Sequence, residues 1–411
     1  MPVPLTQTTL IIDETVAAQL VAQHIVGPVW KGPQSAESQG GISQSMLQDY
    51  LSCRERFRVY VIEGLYQPEG FSAPLEMGNL WHAAEEAFAN RATDAQADLF
   101  SSADGDWQTA LQQYADQLSQ KYPFDRDKVL HWYGMVQAQF PYYVSWWRSH
   151  PDMEKRTPLL SEQTFKVPYR LPSGRTVYLR GKWDSVDLVT EGESAGIWVQ
   201  ENKTKSSIDE GKISRQLKYD LQTSCYLTTL QKSAKIADSQ ADGWAWTKPI
   251  RGVRYNVIRR SAHKTVDSML KKLNEDISTG RGREWFDRWN VGITAQDLAN
   301  FKRWTLDPLL ENLCDDYEWW SDCYENRSDQ FDFQRRQQKY PSHANRHFVY
   351  PYGVYNTVAD GGFGEVDHYI LTGRDTGLAR ATEMFPELND QGDKDVTKTV
   401  GRTDLGPVVA K

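Results

Sequence analysis

Cysteine is scarce in this chain, four among 411 residues and at unrelated spacings, which excludes a disulfide-stapled framework. Long apolar runs are missing too, since no stretch approaches the roughly 18 consecutive apolar residues that span a bilayer. The opening MPVPLTQTTLIIDET has neither a basic start nor a long apolar segment. No secretory leader is therefore expected, and the expected setting is the cytoplasm. Internal repeats and low-complexity tracts are absent. Basic residues are outnumbered, 47 Lys and Arg against 55 Asp and Glu, for a net charge of −8. That balance argues against a general nucleic-acid coating protein but leaves room for a local basic cleft.

Aromatic residues, by contrast, make up 12% of the chain and include 15 Trp, ample for a sizeable core and incompatible with disorder throughout. Residues 1–40 read as an N-terminal segment ending in a polar linker with Gly and Pro. A core is expected over 41–290, with a helical insertion near 90–150. A mainly helical extension over 291–388 and a loose, charged tail over 389–411 follow. Within the core, Met46, Tyr50, Cys53, Phe57 and Tyr60 recur at helical steps, and further helices fit 78–88, 107–121 and 127–149. Strand patterns cover 162–169, 176–189 and 197–203, a helix fits 212–230, a strand 252–259, and helices dominate 265–324. This order predicts an α/β or α+β fold, a mixed central sheet flanked by helices with helical additions at both ends.

The chemistry concentrates in Gly181-Lys-Trp-Asp184-Ser-Val-Asp187 and Ile197-Trp-Val-Gln-Glu201-Asn-Lys203. If these strands form a hairpin with its turn centred near residue 193, Asp184 faces residue 202, next to Glu201. Strand alternation puts Glu201 and Lys203 on one face. Two carboxylates and an ammonium then converge, a set that suits a hard divalent cation such as Mg²⁺ or Mn²⁺ and the activation of water. A bare Glu-x-Lys is common at a solvated strand edge, so Asp184 and the downstream helix carry the weight. There Arg215, Lys218, Tyr219, Gln222 and Tyr226 share one helical face. It is either an ordinary polar surface or a groove that offers donors to phosphates. His82, inside the helix Gly78-Asn-Leu-Trp-His82-Ala-Ala-Glu-Glu86, is open to two readings, a core histidine or a metal ligand. From Trp244 to Val266 there is no acidic residue. Lys248, Arg251, Arg254, Arg259, Arg260 and Lys264 lie there among Trp244, Trp246 and Tyr255, a pattern that fits phosphate contact with base stacking or a solvated strand and turn.

Taken in order, Gly78 with His82, Gly181-x-x-Asp184, Glu201-x-Lys203 and Gln222-x-x-x-Tyr226 resemble the RecB-like exonuclease branch of the PD-(D/E)XK nuclease superfamily, over roughly residues 43–260. The segment from Ser43 to Cys53 also resembles the family's first helix, and GVRYNVIRR resembles a later strand of phage-type members. The resemblance implies a restriction-endonuclease-like core. It also implies metal ligation by His82, Asp184, Glu201 and the carbonyl of Asn202, with Lys203 as the catalytic lysine and Gln222 and Tyr226 facing DNA. The implied activity is metal-dependent DNA cleavage in recombination, repair or phage DNA processing, with a recombination or helicase protein as a possible partner. Relatives with an iron–sulfur cluster place three cysteines near the C-terminal end. Here the segment from Tyr340 to Tyr355 has none, so no such cluster is expected, and Cys53 reads as a helix-core residue. A DNA-binding or scaffold protein that keeps the fold without cleavage is the rival reading, and the intact Asp184, Glu201 and Lys203 argue against it. A hydrolase for some other substrate is disfavoured by the basic run.

Overall fold

The computed structural model describes residues 29–66, 71–93, 105–150, 156–209, 211, 220–239, 248–325 and 379–380. Arg215, Lys218, Trp244, Trp246 and the 389–411 tail lie outside them. Helices α1 (Gln44–Ser52) and α2 (Arg54–Phe57) are followed by a π turn over Arg58–Ile62. Longer helices come next, α3 (Ala73–Thr93), α4 (Gly105–Lys121) and α5 (Arg126–Ser149). Three strands, β1 (Arg156–Arg170), β2 (Thr176–Val189) and β3 (Gly196–Lys205), lead to α6 (Leu221–Ser239) and β4 (Ile250–Arg259). Further elements are α7 (Val266–Ser278), β5 (Phe286–Gly292), α8 (Ala295–Phe301) and α9 (Asp307–Glu325), and Leu65–Tyr66 pairs with Ala379–Arg380 as a separate two-stranded ladder. No helix among the described residues is long and apolar enough to cross a membrane.

The five long strands form one mixed sheet in the order β1-β2-β3-β4-β5. Only the β3–β4 pair is parallel, because α6 lies between them and carries the chain back; such a crossover needs a helix rather than a tight turn. Strand β5 was not expected. Its sequence, FDRWNVG, is short and interrupts Phe, Trp and Val with Asp, Asn and Gly, which strands disfavour, and its antiparallel pairing with β4 from Gly252↔Gly292 to Ile258↔Phe286 holds it in place. The π turn and the break at Cys53 also divide what periodicity alone reads as one helix. Cys53 caps α2, its sulfur accepting from the Arg56 amide, and burial pushes its thiol up to about 12.

Two cores sandwich the sheet. On one side α6 packs Leu227 and Leu230 against Trp183, Val199 and Tyr255. Trp183 stacks on Phe165 with ring centroids 4.2 Å apart. The glycine of the Gly-x-x-Asp motif belongs to this packing, since a Cβ on Gly181 would lie 2.7 Å from the Phe165 ring. On the other side α3, α4, α5 and α7 contribute Trp81, Leu111, Phe140 and Leu273 around Phe286. A second compact unit includes 49–66 and 315–325. In it Trp320 stacks on Phe57, and Arg58, fully buried, pairs with Glu55 and Glu63. Trp320 therefore packs a core, as does Trp146, which lies against Gly282.

Gly252 has φ +156°, and a Cβ there would come within 2.1 Å of the Val291 carbonyl on β5. Gly174, in the β1–β2 turn, has φ +92° with nothing within 4 Å. Gly174→Ala is expected to lower stability by about 1–2 kcal/mol, the cost of the left-handed backbone alone. Gly252→Ala should lower it by more, about 3 kcal/mol, because β5 must also move. Denaturant melts of the two variants check this; equal losses would show that β5 adapts freely.

Candidate metal centre and active site

The β2–β3 ladder runs from Val189↔Gly196 to Ser185↔Gln200 and stops there. The hairpin is thus one residue tighter than the sequence suggested, and Asp184 is the first residue beyond the paired stretch. Its carboxylate accepts a 2.8 Å hydrogen bond from the Asn202 amide. Successive side chains alternate, so Trp183 turns to α6, where its indole N–H meets the Tyr226 carbonyl, and Asp184 turns to α3. There it meets His82, with Nδ1 to Oδ2 at 4.0 Å. The same imidazole nitrogen lies 3.8 Å from Glu162 on β1.

On the α6 side, Glu201 and Lys203 do share a face. The Lys203 ammonium lies 2.6 Å from Glu201 Oε1. Gln222 closes a triangle, donating to the same Oε1 at 2.7 Å and accepting from Lys203 at 2.8 Å. Gln222 therefore holds Glu201 and Lys203 together. Tyr226, one turn along α6, packs edge-on against Phe165 and lines a shallow crevice with Ser43, Gln44 and Arg180.

Charge crowding governs the protonation of these groups. Burial, then repulsion from Asp184, pushes the Glu201 carboxyl up to about 7. Asp184 is likewise raised, by burial first, although His82 opposes the shift. Burial works against a charged His82, but the nearby Glu162 and Asp184 carboxylates prevail and hold it up to about 9. Lys203 is raised in the same way, Glu201 outweighing burial. Glu162 is lowered, because His82 and Lys182 outweigh its burial; Lys182 Nζ lies 2.5 Å from Glu162 Oε2.

Donor atoms of His82, Glu162 and Asp184 all lie within 4.8 Å of one another. Two ligands on one Mg²⁺ with bonds near ~2.1 Å are separated by roughly 3 to 4 Å, so the 3.8 and 4.0 Å separations are compatible with a shared ion. Glu201 Oε2, buried and without a hydrogen-bond partner, is a further oxygen that a cation would satisfy. The donor set is hard oxygen plus one imidazole, the chemistry of Mg²⁺ and Mn²⁺. These residues fit such an ion.

Glu162 escaped the sequence reading, as did Lys182 and Glu85. Glu162 sits in a strand with no motif around it, and it is the only non-glycine residue with positive φ (50°) among the described residues, a conformation that costs roughly 1–2 kcal/mol. Glu85 was findable, because it lies three residues after His82 and hence on the same helix face.

The basic run is dispersed. Arg254 is buried and pairs with Asp187 at 3.7 Å, which corrects its placement in a DNA groove. Strand β4 is central, so its middle cannot present cations to solvent. Arg251 and Lys248 are exposed at its start, where Arg251 bonds the Ala195 carbonyl. Arg259 and Arg260 are half-buried at its end, beside Lys205. Eight residues of strand, roughly 26 Å, separate Arg251 from Arg259, and only the latter end is the end of Lys203.

A family model of the PD-(D/E)XK nuclease superfamily matches residues 41–307, which span every site residue described above. No curated protein matches the chain. The match covers well over half of the sequence, and the chain belongs to the PD-(D/E)XK nuclease superfamily.

Proposed function

We propose that this protein is a Mg²⁺- or Mn²⁺-dependent deoxyribonuclease, an exonuclease of the RecB-like, phage-type branch that acts on DNA ends in recombination, repair or phage DNA processing. The observation that carries the cleavage reading is the meeting of Asp184, His82, Glu201 and Lys203 where β2 and β3 part. The branch rests on the ordered motifs from Gly78 to Tyr226. Members of the superfamily are metal-dependent nucleases, and His82, Asp184, Glu201 and the Asn202 carbonyl would hold the ion, with Glu162 added to the set. A bound divalent cation supplies Lewis acidity and a more acidic water. Lys203, kept protonated by Glu201, orients the attacking water and offsets charge on the phosphoryl oxygen rather than accepting a proton. Gln222 fixes the distance between Lys203 and Glu201. Tyr226 and the Arg259–Arg260 end of β4 contact the DNA backbone, with Lys248 and Arg251 too distant to join them. Arg215 and Lys218, on the segment leading into α6, are the remaining candidates for phosphate contact.

Asp184→Ala, Glu201→Ala and Lys203→Ala should each reduce cleavage of end-labelled DNA by about 10²-fold or more, with Lys203→Ala still binding Mn²⁺. Near wild-type cleavage by any of the three would sink the assignment. Circular substrate run in parallel decides between exonucleolytic and endonucleolytic action.

Ion binding needs His82 neutral and Glu201 ionised. Without metal these groups hold protons up to about 9 and about 7, so loading releases protons and affinity rises with pH. Calorimetric Mn²⁺ titrations at pH 6, 7 and 8 should show tighter binding at each step, approaching tenfold per unit for each proton released. A flat profile would remove His82 and Glu201 from the ligand set.

Arg259→Ala with Arg260→Ala should flatten the salt dependence of DNA binding, measured in Ca²⁺, by roughly one log–log unit per lost phosphate contact. Arg254→Ala should lower stability and leave the slope unchanged. An unaltered slope in the double variant would place DNA on another face.

A further inference from the structure

Asn202 stands between Glu201 and Lys203, so its side chain leaves the opposite face of β3. There it is buried, and Oδ1 accepts a 2.8 Å hydrogen bond from Nδ2 of Asn256, its neighbour on the parallel strand β4. Asn256 Oδ1 in turn accepts from Arg288 Nε at 2.8 Å, and Arg288 is the residue that β5 pairs with Asn256. Three adjacent strands thus carry a lateral row of polar side chains, Asn202, Asn256 and Arg288. In the neighbouring rows β4 presents Tyr255 and Val257, both fully buried.

Helices close the row from above. Tyr143 on α5 donates to Glu85 at 2.6 Å and accepts from Arg288 at 2.7 Å. Asn256 Nδ2 also lies within bonding distance of Glu85 and Tyr143. The Arg288 guanidinium rests on the Trp147 ring, 3.9 Å from its centroid. Asn256 is wholly inaccessible to solvent. An apolar core would be the less costly filling here, and a polar network at this depth serves to hold groups in one geometry.

What it holds is informative. The Asn202 amide is the donor that fixes the Asp184 carboxylate, and Glu85 sits one turn of α3 from His82. We infer that Asn256 is a positioning residue of the metal centre, acting through the Asn202 side chain to set the peptide that orients Asp184. The inference rests on the nuclease reading for the identity of the centre, not for the contact. Asn256 touches neither substrate nor ion. It restricts rotation of Asn202 about the strand axis, so that Asp184, the Asn202 peptide and the His82 turn of α3 keep their relation before an ion arrives.

The test is Mn²⁺ affinity by calorimetry on the full chain, alongside kcat and KM on DNA. Asn256→Ala should weaken Mn²⁺ binding by about tenfold or more, as loss of an outer partner does, and lower kcat at fixed Mn²⁺ with KM for DNA unchanged. Asn202→Ala keeps the backbone carbonyl and all of the Asn256 bonds to Glu85, Tyr143 and Arg288, and should show the same Mn²⁺ loss; it serves even where Asn256→Ala folds poorly. The double variant should be no worse than Asn202→Ala alone, because the effect passes through that side chain. Tyr143→Phe, which removes a buried hydrogen bond from the same network, should lower the melting temperature and leave Mn²⁺ affinity unchanged. Wild-type Mn²⁺ affinity in Asn202→Ala, or additive losses in the double variant, would overturn the inference. Protein that binds Mn²⁺ with this pattern but cleaves no DNA would overturn the nuclease reading and leave the positioning role standing.

Discussion

Three carboxylates, Glu162, Asp184 and Glu201, are enclosed near one another at the end of a sheet, and the surrounding structure is organised by the need to keep them charged. Each has its own cation: Lys182 for Glu162, His82 between Glu162 and Asp184, and Lys203 for Glu201. The compensation is incomplete. Glu201 stays elevated to about 7 by burial and by Asp184, and one of its oxygens has no partner. A site built only for stability would have replaced such groups with apolar ones at little loss. Unrelieved like charge of this kind marks places where a further cation belongs.

The fold delivers this crowding through a single irregularity. Were the β2–β3 ladder to continue past Ser185↔Gln200, Asp184 and Glu201 would face one another across a closed hairpin. Because it stops, Asp184 can bond the Asn202 amide and turn to α3 while Glu201 turns to α6. The parallel partner β4 then supports β3 from its other edge, which leaves the diverging ends open. Helix α6 has a double duty, since it buries Leu227 and Leu230 beneath the sheet and carries Gln222 to Glu201 and Lys203.

Much of this was legible in the sequence, for identifiable reasons. Period-two alternation alone places Glu201 with Lys203, and a short polar turn brings Asp184 close, so an error of one residue in register did no harm. His82 was visible but ambiguous, because a helix position does not reveal which strand it faces. Glu162 was invisible: its left-handed backbone breaks the alternation from which a face would be read. Strand β5 was missed because its Phe, Trp and Val are interrupted by Asp, Asn and Gly, and long-range pairing with β4 makes it a strand. The basic run was legible as charge and not as burial, since a central strand gives its middle residues no solvent, and Arg254 ends against Asp187. Asn256 carried no signal at all, its partners Asn202 and Arg288 lying 54 and 32 residues away.

On the proposed function, the proton on His82 bears on substrate recognition as well as on metal binding. As a cation His82 balances Glu162 and Asp184. If a divalent cation took the place of that proton, the local charge would rise by one unit wherever Glu201 is already ionised, that is, above about pH 7. Below that pH a second proton would leave with the first and the gain would vanish. A singly charged phosphodiester needs about one compensating charge, and the chain's net charge of −8 supplies no general attraction for DNA. What loading would add above about pH 7 is charge at the ion's own position beside Asp184, where a phosphate oxygen would be held and a bound water would become more acidic.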